Sequence, residues 1–213
     1  MNSRQYIYTI KAFAIFSVVC AHTAVEPANS TESLHFAVKV LSAIGTMGVP
    51  IFFIVSGYLF QNNQRNMKSF WIRKLKTIIC PWLFCETLVW LYVVLRKGGV
   101  SVWSWTKFIL GINHSTYYLT ILIFFFIVFW YLKNNTVVIV LSMCFSCLSI
   151  IAYGWDLPLF SKFNDMFVTI YLNPFLWMMY FGLGLLLGKY QLLDRFAEFS
   201  WKIFPLALIG LLL

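Results

Sequence analysis

Residues 6–23 form a nearly unbroken apolar run that carries one cation, Lys11, and one imidazole, His22. An imidazole exchanges protons near neutral pH, so His22 is the best candidate in the chain for a general base. Lys11 brings a fixed positive charge suited to holding an anionic ligand or developing negative charge. In a helix turning about 100° per residue, eleven positions bring the two side chains back to within about 20° of one face, roughly 16 Å apart along the axis. Ionisable groups inside a membrane span cost about 2.5–3.5 kcal/mol on insertion scales, so they usually face a bundle interior or a water-filled cavity. Two plainer readings stay open: Lys11 snorkelling to the near interface, and His22 as an ordinary boundary residue. A signal peptide ending at Ala21-His22-Thr23 is disfavoured, because Lys11 interrupts the apolar run and further spans follow.

Four other constellations invite chemistry. Glu86 is the one carboxylate placed well inside an apolar run; it is either a functional group or a neutral acid hydrogen-bonded to a neighbouring helix. Ser56-Gly57 combines a hydroxyl with close backbone access, and equally suits a tight helix crossing. Arg73 and Lys76, three residues apart, share a face if helical; that face suits the phosphates of a nucleotide-bearing donor or simple anchoring at the interface. Cys144 and Cys147 have the C-x-x-C spacing but no second ligand pair, so all five cysteines read as packing residues and no metal site is expected. His35 and His114 read as loop residues facing water. No phosphate-binding glycine loop, H-E-x-x-H or G-x-S-x-G is present.

The elements that must position these residues are transmembrane. Of 213 residues 61% are hydrophobic, 20% aromatic and 11% charged, more apolar surface than a soluble domain can hide. The fold class expected is all-α: a polytopic transmembrane helix bundle of about six complete spans plus a truncated seventh, forming a single domain over residues 1–213. After residues 6–23, a polar connection holds Glu26, Pro27 and Glu32. A second run follows Lys39 through Gly45 and Gly48 to Phe60, and a third covers about residues 78–95, opening on Pro81. Spans four and five cover about residues 117–132 and 137–153, span six about 169–187, and a seventh begins at Phe204 and stops at Leu213 in mid-span. Gly182, Gly184 and Gly188 suit close helix approach, and Trp103 and Trp105 an interfacial belt. The net charge of +9 sits mostly in short connections, so it sets membrane orientation and calls for no nucleic acid. The basic segment Arg65, Lys68, Arg73, Lys74, Lys76 places that connection and the N-terminus in the cytoplasm.

Three elements in order resemble the acyltransferase 3 family of bacterial integral membrane O-acyltransferases. They are Lys11, ten residues, then His22; Phe52-Phe53-Ile54-Val55-Ser56-Gly57-Tyr58-Leu59; and Arg73-Lys74-Leu75-Lys76 followed by Pro81-Trp82. Tyr117-Tyr118-Leu119 is similar too, though less specific. The resemblance covers roughly the first 120 residues. It implies about ten helices in the bacterial inner membrane that move an acyl group, usually acetyl, from acetyl-CoA to a sugar hydroxyl of a surface polysaccharide or lipid-linked acceptor, with acyl-CoA as co-substrate and no bound cofactor. It also implies that His22 matches the family's essential histidine, Lys11 its Arg-or-Lys partner, and Arg73 and Lys76 its Arg-x-x-Arg pair. Lysine at the second position departs from that pattern, because a compact ammonium does not reproduce bidentate phosphate contacts. The last three or four spans of the family pattern are absent from these 213 residues, and with them any acceptor contacts those spans would make.

Two alternatives come from other classes. In a transporter or flippase component, Lys11, His22 and Glu86 would form a polar relay through the bundle. In an inactive, truncated relative, the helices would merely pack.

Overall fold

The computed structural model describes residues 3–24, 32–98, 101–112, 116–155, 167 and 169–192. Helices are α1 (Ser3–Thr23), α2 (Glu32–Thr46), α3 (Gly48–Gln61), α4 (Met67–Lys74), α5 (Cys80–Lys97), α6 (Val102–Ile109), α7 (Tyr117–Leu132), α8 (Thr136–Gly154) and α9 (Met178–Lys189). The all-α expectation holds. Four helical stretches, 5–23, 34–61, 67–96 and 136–154, are long and apolar enough to cross a membrane, and Tyr117–Leu132 and Met178–Lys189 are shorter apolar helices. Large apolar side chains such as Phe84, Leu95 and Val137 lie exposed on these helices, the arrangement expected when lipid is the solvent. The seventh run, Glu26 and Pro27 of the polar connection, and His114 fall outside the described residues.

The helix boundaries follow local chemistry. Asn66 accepts a hydrogen bond from the Ser69 amide at 2.9 Å and starts α4. Ser101 does the same for the Trp103 amide and starts α6. Asn135 caps α8 by accepting from the amides of Val137 and Val138. Gly98, at φ +73°, ends α5.

Three spans differ from the hydropathy reading. The second begins earlier, at Glu32, so His35 is a helical residue, exposed on α2; a break at Met47 divides the stretch into α2 and α3. The third is one continuous helical stretch from Met67, because a π-turn at Leu75–Ile79 joins α4 to α5, with the Cys80 amide reaching back to the Leu75 carbonyl. The sixth is broken. Two 3₁₀ turns, Ile170–Leu172 and Pro174–Leu176, precede α9, because Pro174 lacks an amide N–H and pushes Asn173 to ψ 107°. Asn173 is fully buried, and its Oδ1 accepts from the Phe175 amide at 3.0 Å.

The chain divides into two compact units. The first comprises residues 1–62, 131–147 and 177–213, and it is assembled through glycine. A Cβ at Gly45 would fall 2.6 Å from the Ala21 Cα, and one at Gly48 would fall 3.0 Å from the Ala14 carbonyl, so α2 and α3 approach the α1 backbone. Gly57 lies against the Phe181 carbonyl and Gly184 against the Ile54 carbonyl, which brings α3 and α9 backbone to backbone. Ser146 of α8 accepts the Met179 amide at 3.0 Å and satisfies an otherwise orphan donor at the start of α9. At the other end of α9, the Lys189 ammonium donates to the Asn134 carbonyl and to Thr136 Oγ1, both at 2.6 Å. Lys133 in the same turn lies over the Phe60 ring at 5.2 Å, and burial lowers its ammonium from the usual range.

The second unit comprises residues 63–130 and 148–176, and it is assembled through aromatic rings and indoles. Phe70 of α4 meets Phe126 edge-on at 5.3 Å and Trp130 at 5.1 Å, both on α7. The Lys74 ammonium covers the Phe126 ring at 4.5 Å. The short α6 is pinned to α5 by two indole bonds: Trp90 Nε1 donates to Ser104 Oγ, and Trp105 Nε1 to Thr87 Oγ1, each at 3.1 Å.

Candidate functional site

Lys11 and His22 both lie on α1 in the first unit, Lys11 half-buried and His22 exposed. The face that α1 packs carries Ala14, Ser17 and Cys20, all buried. Ser17 sits six residues past Lys11, about 120° around the helix, so the Lys11–His22 stripe runs beside the packed face and not along it. His22 is thus open to whatever approaches the flank of α1. Ser17 itself is 0% exposed and its hydroxyl has no hydrogen-bond partner. Nothing in the hydropathy pattern distinguishes it from a packing serine.

Ser56 is half-buried on α3 and Gly57 is buried. A Cβ at position 57 would run into the α9 backbone at Phe181, so the glycine has a packing reason to be there whatever else it does.

In the second unit, Arg73 lies in the last turn of α4 and Lys76 within the π-turn, both exposed. A π-turn closes i→i+5 bonds and takes more residues per turn than an α-helix. Residues three apart therefore splay further around the axis than on a regular helix, and the shared face expected of this pair is loosened. The Arg73 carbonyl accepts from Thr77 Oγ1 at 2.8 Å.

Glu86 is 6% exposed, on α5, and its Oε2 is buried without a hydrogen-bond partner. A buried polar group left unpaired costs about 1–3 kcal/mol, more if charged, so this oxygen requires an explanation. Tyr118, at the head of α7, lies within electrostatic reach of it. One helical turn earlier, Trp82 Nε1 is also buried and unpartnered. The Thr87 hydroxyl next to Glu86 is by contrast satisfied, donating to the Leu83 carbonyl at 2.7 Å and accepting from Trp105. Sequence reading finds Glu86 through its charge and names Trp82 only within the Pro81-Trp82 motif, without a role.

Cys20 is buried, whereas Cys80, Cys85, Cys144 and Cys147 lie exposed, and all five are free thiols.

No curated protein and no solved structure matches the chain. A family model described as an acyltransferase domain matches residues 4–213. With apolar helices long enough to cross a membrane and a match running nearly end to end, this chain belongs to that family of membrane acyltransferases.

Proposed function

We propose that this protein is a membrane-bound O-acyltransferase that moves an acyl group, acetyl in the simplest case, from acyl-CoA to a sugar hydroxyl of a surface polysaccharide or its lipid-linked precursor. The observation that carries the reading is the acyltransferase family match over residues 4–213, in a chain whose first helix carries Lys11 and His22 on one stripe. His22 removes the proton of the acceptor hydroxyl as its oxygen attacks the thioester carbonyl carbon. The C–S bond then breaks, the acyl group stays on the sugar oxygen as an ester, and the departing CoA thiolate recovers the proton. Lys11 offers positive charge to the donor or to the oxyanion that forms during attack.

Arg73 and Lys76 hold the phosphates of the CoA moiety, with the guanidinium giving directed bonds and the ammonium a point charge. The basic segment around them is cytoplasmic by the positive-inside rule, which places the N-terminus on the same side of the bacterial inner membrane and suits a cytoplasmic donor. Arg73, Lys76 and His22 all have exposed side chains, which supports these roles.

The test is transfer of acetyl-labelled acetyl-CoA by membranes containing this protein, with cell-surface glycan as acceptor. Label entering the glycan as a base-labile ester is the expected result. Flux of sugar or protons with no dependence on acyl-CoA would replace this reading with the transport one.

A further inference from the structure

The two tryptophans of α6 face opposite ways. Trp105 turns to α5, where its indole is bonded to Thr87, and Ser104 beside it takes the Trp90 indole. Ile109 is buried. Trp103, by contrast, is 66% exposed, Val102 is 81% exposed, and Leu110 is exposed with them. At about 100° per residue, Val102, Leu110, Trp103 and Lys107 fall in that order within an arc of about 140°, and Ser104, Phe108, Trp105 and Ile109 fill the other side. The outward arc is apolar with a cation at one edge, where the Lys107 ammonium lies 5.2 Å from the centre of the Trp103 ring.

The bonds that fix α6 also fix its depth. Thr87 and Trp90 lie about 9–14 Å along the axis before Arg96, the exposed cation near the end of α5. They belong to the stretch 67–96, which is long and apolar enough to cross a membrane. So α6 is held beside the apolar length of α5 and not beyond its charged end. There α5 itself exposes Tyr92 and Leu95, with the Arg96 guanidinium 5.4 Å from the Tyr92 ring. Cation–aromatic pairs thus stand on both helices, and a ring at headgroup level with a cation snorkelling beside it is how aromatic belts sit in a bilayer. The apolar arc matches acyl chains, and its basic edge matches phosphate.

We infer that the arc formed by Val102, Trp103 and Leu110 is a phospholipid-docking face, seated at the boundary between headgroups and acyl chains, with Lys107 against a headgroup phosphate. Lipid is then a structural partner of α6, which is clamped between α5 on one side and the bilayer on the other. The inference rests on the membrane placement of the chain and not on acyl transfer, so it stands or falls separately from the enzymatic reading.

The experiment is fluorine NMR of the full chain, labelled with fluorotryptophan, in nanodiscs of phosphatidylethanolamine and phosphatidylglycerol. The Trp103 and Trp105 signals are assigned by their loss in Trp103→Phe and Trp105→Phe. A nitroxide is then placed on the lipid, either near the headgroup or at the acyl end, and a gadolinium chelate in the water. The nitroxide near the headgroup should broaden the Trp103 signal about twofold or more beyond the Trp105 signal, and beyond the effect of the acyl-end nitroxide. Lys107→Glu, which sets a like charge against phosphate, should weaken that broadening; unchanged broadening would remove the phosphate from the inference. Equal broadening of the two indoles would overturn the docking face. So would a Trp103 signal reached only by the chelate, which puts α6 in water, or by no probe, which puts another protein surface over it.

Discussion

The two units solve the problem of packing helices in lipid in different ways. In the first, glycines bring backbones together, Gly57 and Gly184 across α3 and α9 and Gly45 and Gly48 against α1. In the second, rings fill the space, with Phe70 between Phe126 and Trp130, and indoles fasten α6 to α5. Lipid supplies no hydrophobic drive between helices, so each unit depends on contact and directed bonds. The glycine-packed unit presents its ionisable residues on a flank, as His22 shows. The ring-packed unit buries a carboxylate, Glu86, whereas the buried unpartnered group on α1 is the small hydroxyl of Ser17.

That contrast can be broken by substitution. Phe126→Ala should have the largest effect, about 3–5 kcal/mol, because it opens a cavity beneath both Phe70 and the Lys74 ammonium. Reversible unfolding in mixed micelles would measure it. Gly184→Leu comes next, at about 1–3 kcal/mol or more, since its side chain meets the Ile54 carbonyl and the Tyr58 amide, which have no rotamer with which to yield. Gly98→Leu, in open space though at positive φ, makes the useful control: it strains a turn without forcing helices apart. If Gly184→Leu were as stable as wild type, the backbone-to-backbone account of the first unit would fail. Lys189→Met removes two hydrogen bonds to the α7–α8 turn and should cost about 1–2 kcal/mol at roughly 0.6 kcal/mol or more per interhelical bond. The smallest effect belongs to Trp105→Phe, which loses one indole bond, about 0.5–1.5 kcal/mol. It should show as faster amide exchange confined to α6.

Hydropathy alone located most spans, because runs such as 117–132 and 137–153 are mostly apolar and carry no charge. It could not locate the interruptions. The π-turn at Leu75–Ile79 and the break at Met47 leave no mark on an apolar average, and only Pro174 announces the broken sixth span. The ionisable candidates were legible because charge is rare in such a chain. The packed face of α1 was not, since Ala14, Ser17 and Cys20 differ little from their neighbours in polarity, and the approach of Gly48 to the Ala14 carbonyl shows only in the fold. The burial of the Trp82 N–H was not legible either: the residue stands in the Pro81-Trp82 motif, but an indole in an apolar run looks like packing until its N–H proves to have no partner.

We propose His22, exposed on the flank of α1, as the base of an acyl transfer. The direct measurement is the rate of acetyl transfer from labelled acetyl-CoA to glycan by wild type and by His22→Ala in membranes carrying equal amounts of protein. A fall of about a hundredfold or more, the usual contribution of a general base, is expected, with helicity unchanged. A His22→Ala rate within about twofold of wild type, well under that contribution, would contradict it.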